Sequence, residues 1–178
     1  DLAVSLATLG KTPKEIESLL KPVTDLSIGL QTTSAEAGEF LVQTLNAFGA
    51  SSDEAAKYAD TIATISNVTT LNFQKMQDSF QYLAPISRLL NKDLAYTGAL
   101  IGLFADNGIK AESAGRLIAT AQQRLAKSGL TLNDGLQQIV ASQQRGASAT
   151  DVLALASNIF GAEASKLGVI LANNTGVV

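Results

Sequence analysis

The chain has 178 residues, of which 46% are hydrophobic and only 5% aromatic, and it contains no histidine, cysteine or tryptophan. Histidine and cysteine are the usual ligands of zinc and copper and supply the most common acid–base and thiolate groups, so the composition argues against a transition-metal site and against most classes of enzyme. Thirteen basic and sixteen acidic residues give a net charge of −3, which is not the basic excess typical of nucleic-acid-binding proteins.

Apolar residues recur at helical spacing through most of the chain, and the breaks between them carry helix-capping residues rather than hairpin turns. After a short leading segment, helix starts are expected, in chain order, at Thr12-Pro13, at Ser34, at Ser51 with Glu54, and at Asn72. Two prolines fall inside these predicted helices. We expect Pro22 to kink or split the first helix and Pro85 to perturb the last turns of the fourth.

The segment 93–107 is apolar around most of its helical circumference, which predicts a central, buried helix. Gly98 and Gly102 lie four residues apart on one face of it, so another helix could approach closely there. In a membrane this spacing is typical of a dimerisation face. However, the uncharged stretch 94–105 is shorter than the ~20 residues that a membrane span needs, so we interpret the glycines as a packing site within the domain.

Beyond Gly108 the same pattern predicts further helices. Their expected extents are about 111–128, 131–144, 148–160 and 162–173, separated by Gly129, Gly146 and Gly161. Short connections favour antiparallel neighbours. The sequence therefore predicts an all-α, compact domain of about eight to ten antiparallel helices with short connections containing glycine and serine.

The expected organisation is a single helical domain over residues 1–178 or a segment of a longer chain, since the sequence begins in mid-pattern at Asp1 rather than at a methionine. Residues 130–174 are expected to form a C-terminal group of helices. One phrase recurs, in which an apolar helix end is followed by glycine and an alanine-rich restart. It occurs around Gly49, Gly108 and Gly161, without the fixed period of a solenoid repeat.

Few motifs suggest chemistry. The segment Gly10-Lys11-Thr12 matches the end of a phosphate-binding loop, but Ser5 stands where the first glycine should be, and no strand precedes it. Ser18 and Lys21 have the spacing of some acyl enzymes, whose companion motifs are absent. We therefore interpret both matches as coincidental.

The charged residues also have structural interpretations. Asp53 and Glu54 lie in a first helical turn, where carboxylates favour the helix dipole. Arg116, Arg124 and Lys127 lie near one face of a helix without interleaved aromatic residues, and we expect this face to be solvated. No calcium-loop motif is present. The sequence analysis thus assigns no catalytic, cofactor-binding or metal-binding residue and predicts a protein that is not an enzyme.

Several phrases occur in a fixed order within residues 34–129. They are Leu45 to Ala56, Tyr58-Ala59-Asp60, the polar stretch 67–72, the alanine- and leucine-rich helix 94–104, Gly108-Ile109-Lys110 and Ala114-Gly115. In order and spacing they resemble the core region of bacteriophage and prophage tail tape measure proteins. The later segment 159–164 also resembles a phrase of that family, whereas the continuation Arg116-Leu117-Ile118 departs from the family's usual pattern.

The resemblance implies a structural role and no active site. Proteins of this kind occupy the lumen of the growing tail, set its length and are expelled when DNA leaves the particle. The implied partners are the tail tube protein, tail assembly chaperones, baseplate or tail-tip proteins and further copies of the chain, with no specific nucleic acid. The implied location is the virion tail, with the bacterial cytoplasm during assembly or as a prophage product.

Two alternatives belong to other classes of protein. One is a helical scaffold or adaptor that binds a protein partner through an apolar groove. The other is a membrane-active helical domain that hides its 94–105 helix. The tape measure interpretation also raises a physical question, because one continuous helix of this length would span about 270 Å, whereas a compact domain has a radius of gyration of roughly 16 Å.

Overall fold

The computed structural model describes residues 2–69, 71–89 and 91–174, and every regular element in these ranges is helical. The helices are α1 Leu2–Thr8, α2 Pro13–Gly29, α3 Ser34–Phe48, α4 Ala55–Val68, α5 Phe73–Leu89, α6 Leu94–Asp106, α7 Ala111–Lys127, α8 Leu132–Gln144, α9 Ala149–Phe160 and α10 Ser165–Asn173. Short 3-10 turns, Ser52–Glu54 and Ala162–Ala164, lead into α4 and α10. The prediction of an all-α fold is confirmed.

The chain divides into two compact units, Asp1–Ala111 and Glu112–Val178. The first unit contains α1 to α6. The second contains α7, apart from its first residue, and α8 to α10, so the residues 130–174 grouped by the sequence analysis fall within it. In this second unit α8, α9 and α10 pack on one another.

The first unit consists of two rows of helices, α1, α3 and α5 in one row and α2, α4 and α6 in the other. Helices within a row run parallel. In the second row, Ser52 before α4 donates a hydrogen bond to Glu15 near the start of α2, and Gly29 at the end of α2 lies near Ala63 of α4. Consecutive helices belong to opposite rows and pack across the unit. Short linkers are sufficient for this arrangement because each helix returns beside its predecessor.

The helix expected to be buried, α6, packs against both α4 and α5. Its buried residues are Leu94, Tyr96, Thr97, Gly98, Leu100, Ile101 and Phe104. Ala95 and Asp106 are exposed, so the buried face is broad but does not surround the helix. An almost uniformly apolar sequence therefore leaves a narrow strip of this helix at the surface.

Most helix ends share one hydrogen-bonded closure. At the end of α3, Gly49 adopts a left-handed φ of 67°, and the N–H of Ala50 donates to the carbonyl of Leu45 at 2.9 Å. The same closure occurs at Gly10, Gln31, Asn91, Gly108, Gly129 and Gly146. At every one of these ends except that at Gly108, the residue two positions later is a threonine, serine or aspartate that precedes the next helical element.

The spacing of these closures shows a regularity that the sequence analysis missed. Gly10 and Gly49 are 39 residues apart, and Asn91 and Gly129 are 38 residues apart. The latter spacing also separates Gly108 from Gly146. A pair of helices with its two linkers is therefore a recurring unit of nearly constant length.

Two local predictions were wrong in detail. The N-cap of α3 is Thr33 rather than Ser34, because only Thr33 stands three residues before Glu36 and can exchange hydrogen bonds with it in a capping box. Pro22 does not split α2, which is continuous from Pro13 to Gly29. This helix begins with a capping box and packs against three neighbouring helices, and these interactions maintain it across the missing proline N–H.

Candidate interaction surface

The structure was searched for groups that could hold a metal or span a membrane. Among the described residues, no cluster of three or more histidine, cysteine, aspartate or glutamate side chains could hold a metal ion. No helix in the described ranges is long and apolar enough to cross a membrane. The candidate sites that the structure does offer are open surface grooves.

The segment Gly10-Lys11-Thr12 closes one helix and opens the next. Gly10 has a φ of 79°, and the N–H and hydroxyl of Thr12 both donate to the Glu15 carboxylate, at 2.9 and 2.8 Å. These hydrogen bonds lower the pKa of Glu15 to about 2, the backbone donor contributing most. The loop therefore already holds a carboxylate, and its groups serve as a helix cap.

The other motifs are also occupied by local interactions. The hydroxyl of Ser18 donates to the carbonyl of Lys14, and the ammonium group of Lys21 donates to Asp25, which raises the pKa of Lys21. The N–H of Ser51 donates to the Glu54 carboxylate at 3.1 Å. Ser18 and Lys21 do not form a nucleophile–base pair, and the capping role expected for Glu54 is confirmed.

The cations of α7 are exposed, as expected, but one of them is held in place. Arg116 and Arg124 line a cleft of about 400 Å³ next to the segment 160–164. The guanidinium of Arg124 packs so closely on Gly161 that a Cβ there would lie 2.7 Å from its Nη1 atom. Glu163 lines the same cleft and opposes the positive charge.

A larger groove, of about 590 Å³, lies between the parallel helices α3 and α5 in the first unit. Its polar lining consists of Gln43, Thr44, Gln74, Gln77, Asp78 and Gln81, and its apolar lining of Phe40, Ala47, Phe80, Ala84 and Pro85. The ring of Phe40 packs edge-on against that of Phe80, with 5.3 Å between centroids. This aromatic contact between α3 and α5 helps to fix the two sides of the groove.

Two of the groove's glutamines make hydrogen bonds to carboxylates on their own helices. Gln43 donates to Glu39 at 2.9 Å, and Gln74 donates to Asp78 at 3.0 Å. At one end of the groove, the guanidinium of Arg88 donates to the carbonyl of Ala47 at 3.0 Å and ties α5 to the end of α3. The surface is therefore rich in amide groups and is bordered by acids rather than bases.

The sequence analysis did not identify this groove. Its signal was the placement of Gln74, Gln77 and Gln81 at helical spacing on one helix. Recognising the groove also required the pairing of α3 with α5, two helices that are separated in the chain by α4.

The family that matches this sequence is described as "Phage-related minor tail protein", and the match covers residues 1–158. The chain belongs to this family. The resemblance inferred from the sequence is confirmed, and the groove residues of this minor tail protein family member lie within the matched region.

Two relatives carry more specific names. The tape measure protein of Pneumococcus phage Dp-1 is 30% identical over 135 residues, which cover 76% of this chain and 12% of that protein. The probable tape measure protein of Escherichia phage P2 is 26% identical over 118 residues, which cover 65% of this chain and 14% of that protein. The chain thus matches less than one sixth of the length of either relative. No solved structure matches it significantly.

Proposed function

We propose that this chain is a segment of a tape measure protein that helps to set the length of a phage tail, organises assembly of the tail tube and is expelled during genome ejection. The observation that carries the proposal is the family match over residues 1–158, supported by two relatives named as tape measure proteins. The proposed role is structural and involves no catalytic step.

The proposed partners are the other proteins of the tail. They are the tail tube protein, the assembly chaperones, the baseplate or tail-tip proteins and further copies of the chain. The proposed locations are the virion tail and, during assembly, the bacterial cytoplasm. The amide-lined groove between α3 and α5 supports a role in protein binding, because its polar groups are uncharged except at Asp78.

The compact units bear on how such a segment acts. A helix of 178 residues would reach about 270 Å, whereas the helices here fold back on one another. In the proposed mechanism the segment folds compactly after synthesis, and it then either remains folded at one end of the tail or opens inside the tube.

A disulfide lock distinguishes these two states. A Cβ built on Gly98 lies 3.5 Å from the Cβ of Ile65, within the range for a disulfide, and the chain has no other cysteine. In phage carrying Ile65→Cys with Gly98→Cys, oxidation before tail assembly should block assembly if α4 and α6 must separate. It should have no effect if they remain packed. Each single-cysteine variant serves as a control for the substitutions themselves.

Quantitative mass spectrometry of purified particles tests the proposed location and expulsion. Peptides from this chain should be present in particles that still hold DNA and depleted from particles that have released it, with the tail tube protein as the internal standard. Absence from full particles, or full retention in emptied ones, would contradict the proposal.

A further inference from the structure

We infer that the groove between α3 and α5 binds an extended segment of another tail polypeptide, with a basic side chain of that segment at Asp78. This inference goes beyond the proposed role in tail length, because it assigns a specific surface and the chemistry of its occupant. It rests on the length of the groove, its hydrogen-bonding groups and its charge.

The dimensions of the groove suit a short extended peptide. Along α5 its lining residues run from Gln74 to Pro85. Eleven residues of helix correspond to about 16 Å, which is the length of about five residues of extended chain. The small side chains of Ala47 and Ala84 leave room for a peptide backbone to approach the helices.

The hydrogen-bonding groups of the groove suit a peptide backbone. A glutamine amide both donates and accepts, as does each residue of an extended backbone. In the described part of the chain, the side chains of Gln77 and Gln81 make no hydrogen bond. In addition, Pro85 has no N–H, so the carbonyl of Gln81 lacks its usual donor in the helix and adds an acceptor on this side of α5.

The charge of the groove selects among possible occupants. Asp78 lines the groove and Glu39 borders it through Gln43, whereas none of the lining residues is a lysine or arginine. Phosphate groups of nucleic acid would be repelled, since they are bound mainly by cations. An amphipathic helix would require an apolar groove. The lining therefore favours an extended polypeptide that places a lysine or arginine beside Asp78.

Site-specific photocrosslinking in assembled tails tests this inference. The photoreactive residue p-benzoylphenylalanine replaces Gln81 in the full parent protein, and a matched variant carries it at Glu17, an exposed position on α2 outside the groove. The expected result is a crosslink at position 81 to one segment of another tail protein that is extended and contains a lysine or arginine. A crosslink only to a helix, or only to a second copy of this chain, would overturn the inference.

Charge reversal adds a second readout. Asp78→Lys should reduce the yield of the position-81 crosslink at least tenfold, whereas Glu17→Lys should leave it unchanged. Replacing the basic residue of the crosslinked segment by glutamate should restore the yield in the Asp78→Lys variant. A yield that does not change with Asp78→Lys would overturn the assignment of the basic residue.

An immunoblot of the same tails separates this inference from the proposed function. If the parent protein is absent from purified tails, the proposed function fails. If the protein is present and position 81 gives no crosslink, only the groove inference fails.

Discussion

Gly98 of α6 lies directly against Ile65 of α4. A Cβ built on Gly98 would come within 2.4 Å of both the Cγ1 and the Cδ1 of Ile65, which is closer than van der Waals contact permits. The two helices can therefore approach this closely only because residue 98 has no side chain. The close packing expected from the Gly98 and Gly102 spacing occurs within the first unit, and Gly98 makes the tighter of the two contacts.

This relationship predicts opposite effects for two similar substitutions. Gly98→Ala should lower the free energy of unfolding by about 1–3 kcal/mol, because the new methyl group overlaps the buried side chain of Ile65. Gly102→Ala is the matched control, since its nearest contact is Thr69 at 4.0 Å. It should be neutral or stabilising by up to about 1 kcal/mol, the helix-propensity difference. Urea denaturation of the two variants measures both effects, and equal losses would contradict this account.

A buried hydrogen bond between α5 and α6 gives a second prediction. The hydroxyl of Thr97 donates to the Oγ of Ser87 at 2.7 Å, and both residues are fully buried. Thr97→Val should destabilise the chain by about 1–2 kcal/mol, since it removes this donor from a buried pair. The double variant with Ser87→Ala should lose less than the sum of the two single variants. Strict additivity in this double-mutant cycle would show that the pair is not coupled.

The left-handed helix ends give a third prediction. Gln31 has a φ of 53°, a conformation in which glycine is favoured over residues with a side chain. Gln31→Gly should therefore raise the free energy of unfolding by about 0.5–1 kcal/mol. Gly129→Ala should lower it by about 1 kcal/mol, because Gly129 has a φ of 70° and no other group lies near its Cβ position. Thermal denaturation should show midpoint shifts of opposite sign, and shifts of the same sign would count against the closure geometry.

The capping box of α2 predicts a dependence of stability on pH. The folded-state pKa of Glu15 is lowered from 4.5 to about 2, mainly by the backbone N–H of Thr12. A lowered pKa contributes stability above about pH 4.5, and this contribution is lost as the pH falls towards 2. The stability difference between the wild type and Glu15→Gln should therefore shrink from pH 6 to pH 2.5. A difference that stays constant with pH would contradict the assignment.

Features that depend on neighbouring residues in the chain were predictable from the sequence. The start of α5 after Asn72 and the end of α3 at Gly49 follow from capping groups within a few residues of each boundary. The left-handed residues Gln31 and Asn91 were not predicted, because these two helices end without the glycine that usually marks such a closure.

Features that depend on distant parts of the chain could not be obtained in this way. Gly98 was expected to contact another helix, but nothing near it in sequence identifies Ile65 as the partner. The groove was missed for the same reason, since Gln43 and Gln77 come together only when α3 packs beside α5. Alternation of helices between two rows is a property of the assembled unit rather than of any one helix.

The most direct test of the central claim is the tail length of phage in which this segment is removed in frame from its parent gene, measured by electron microscopy. If the segment is read out as an extended helix, tails should be shorter by about 1.5 Å per deleted residue. If it acts as a folded docking unit, assembled tails should be missing. The account predicts one of these two changes, and tails of normal number and unchanged length would contradict it.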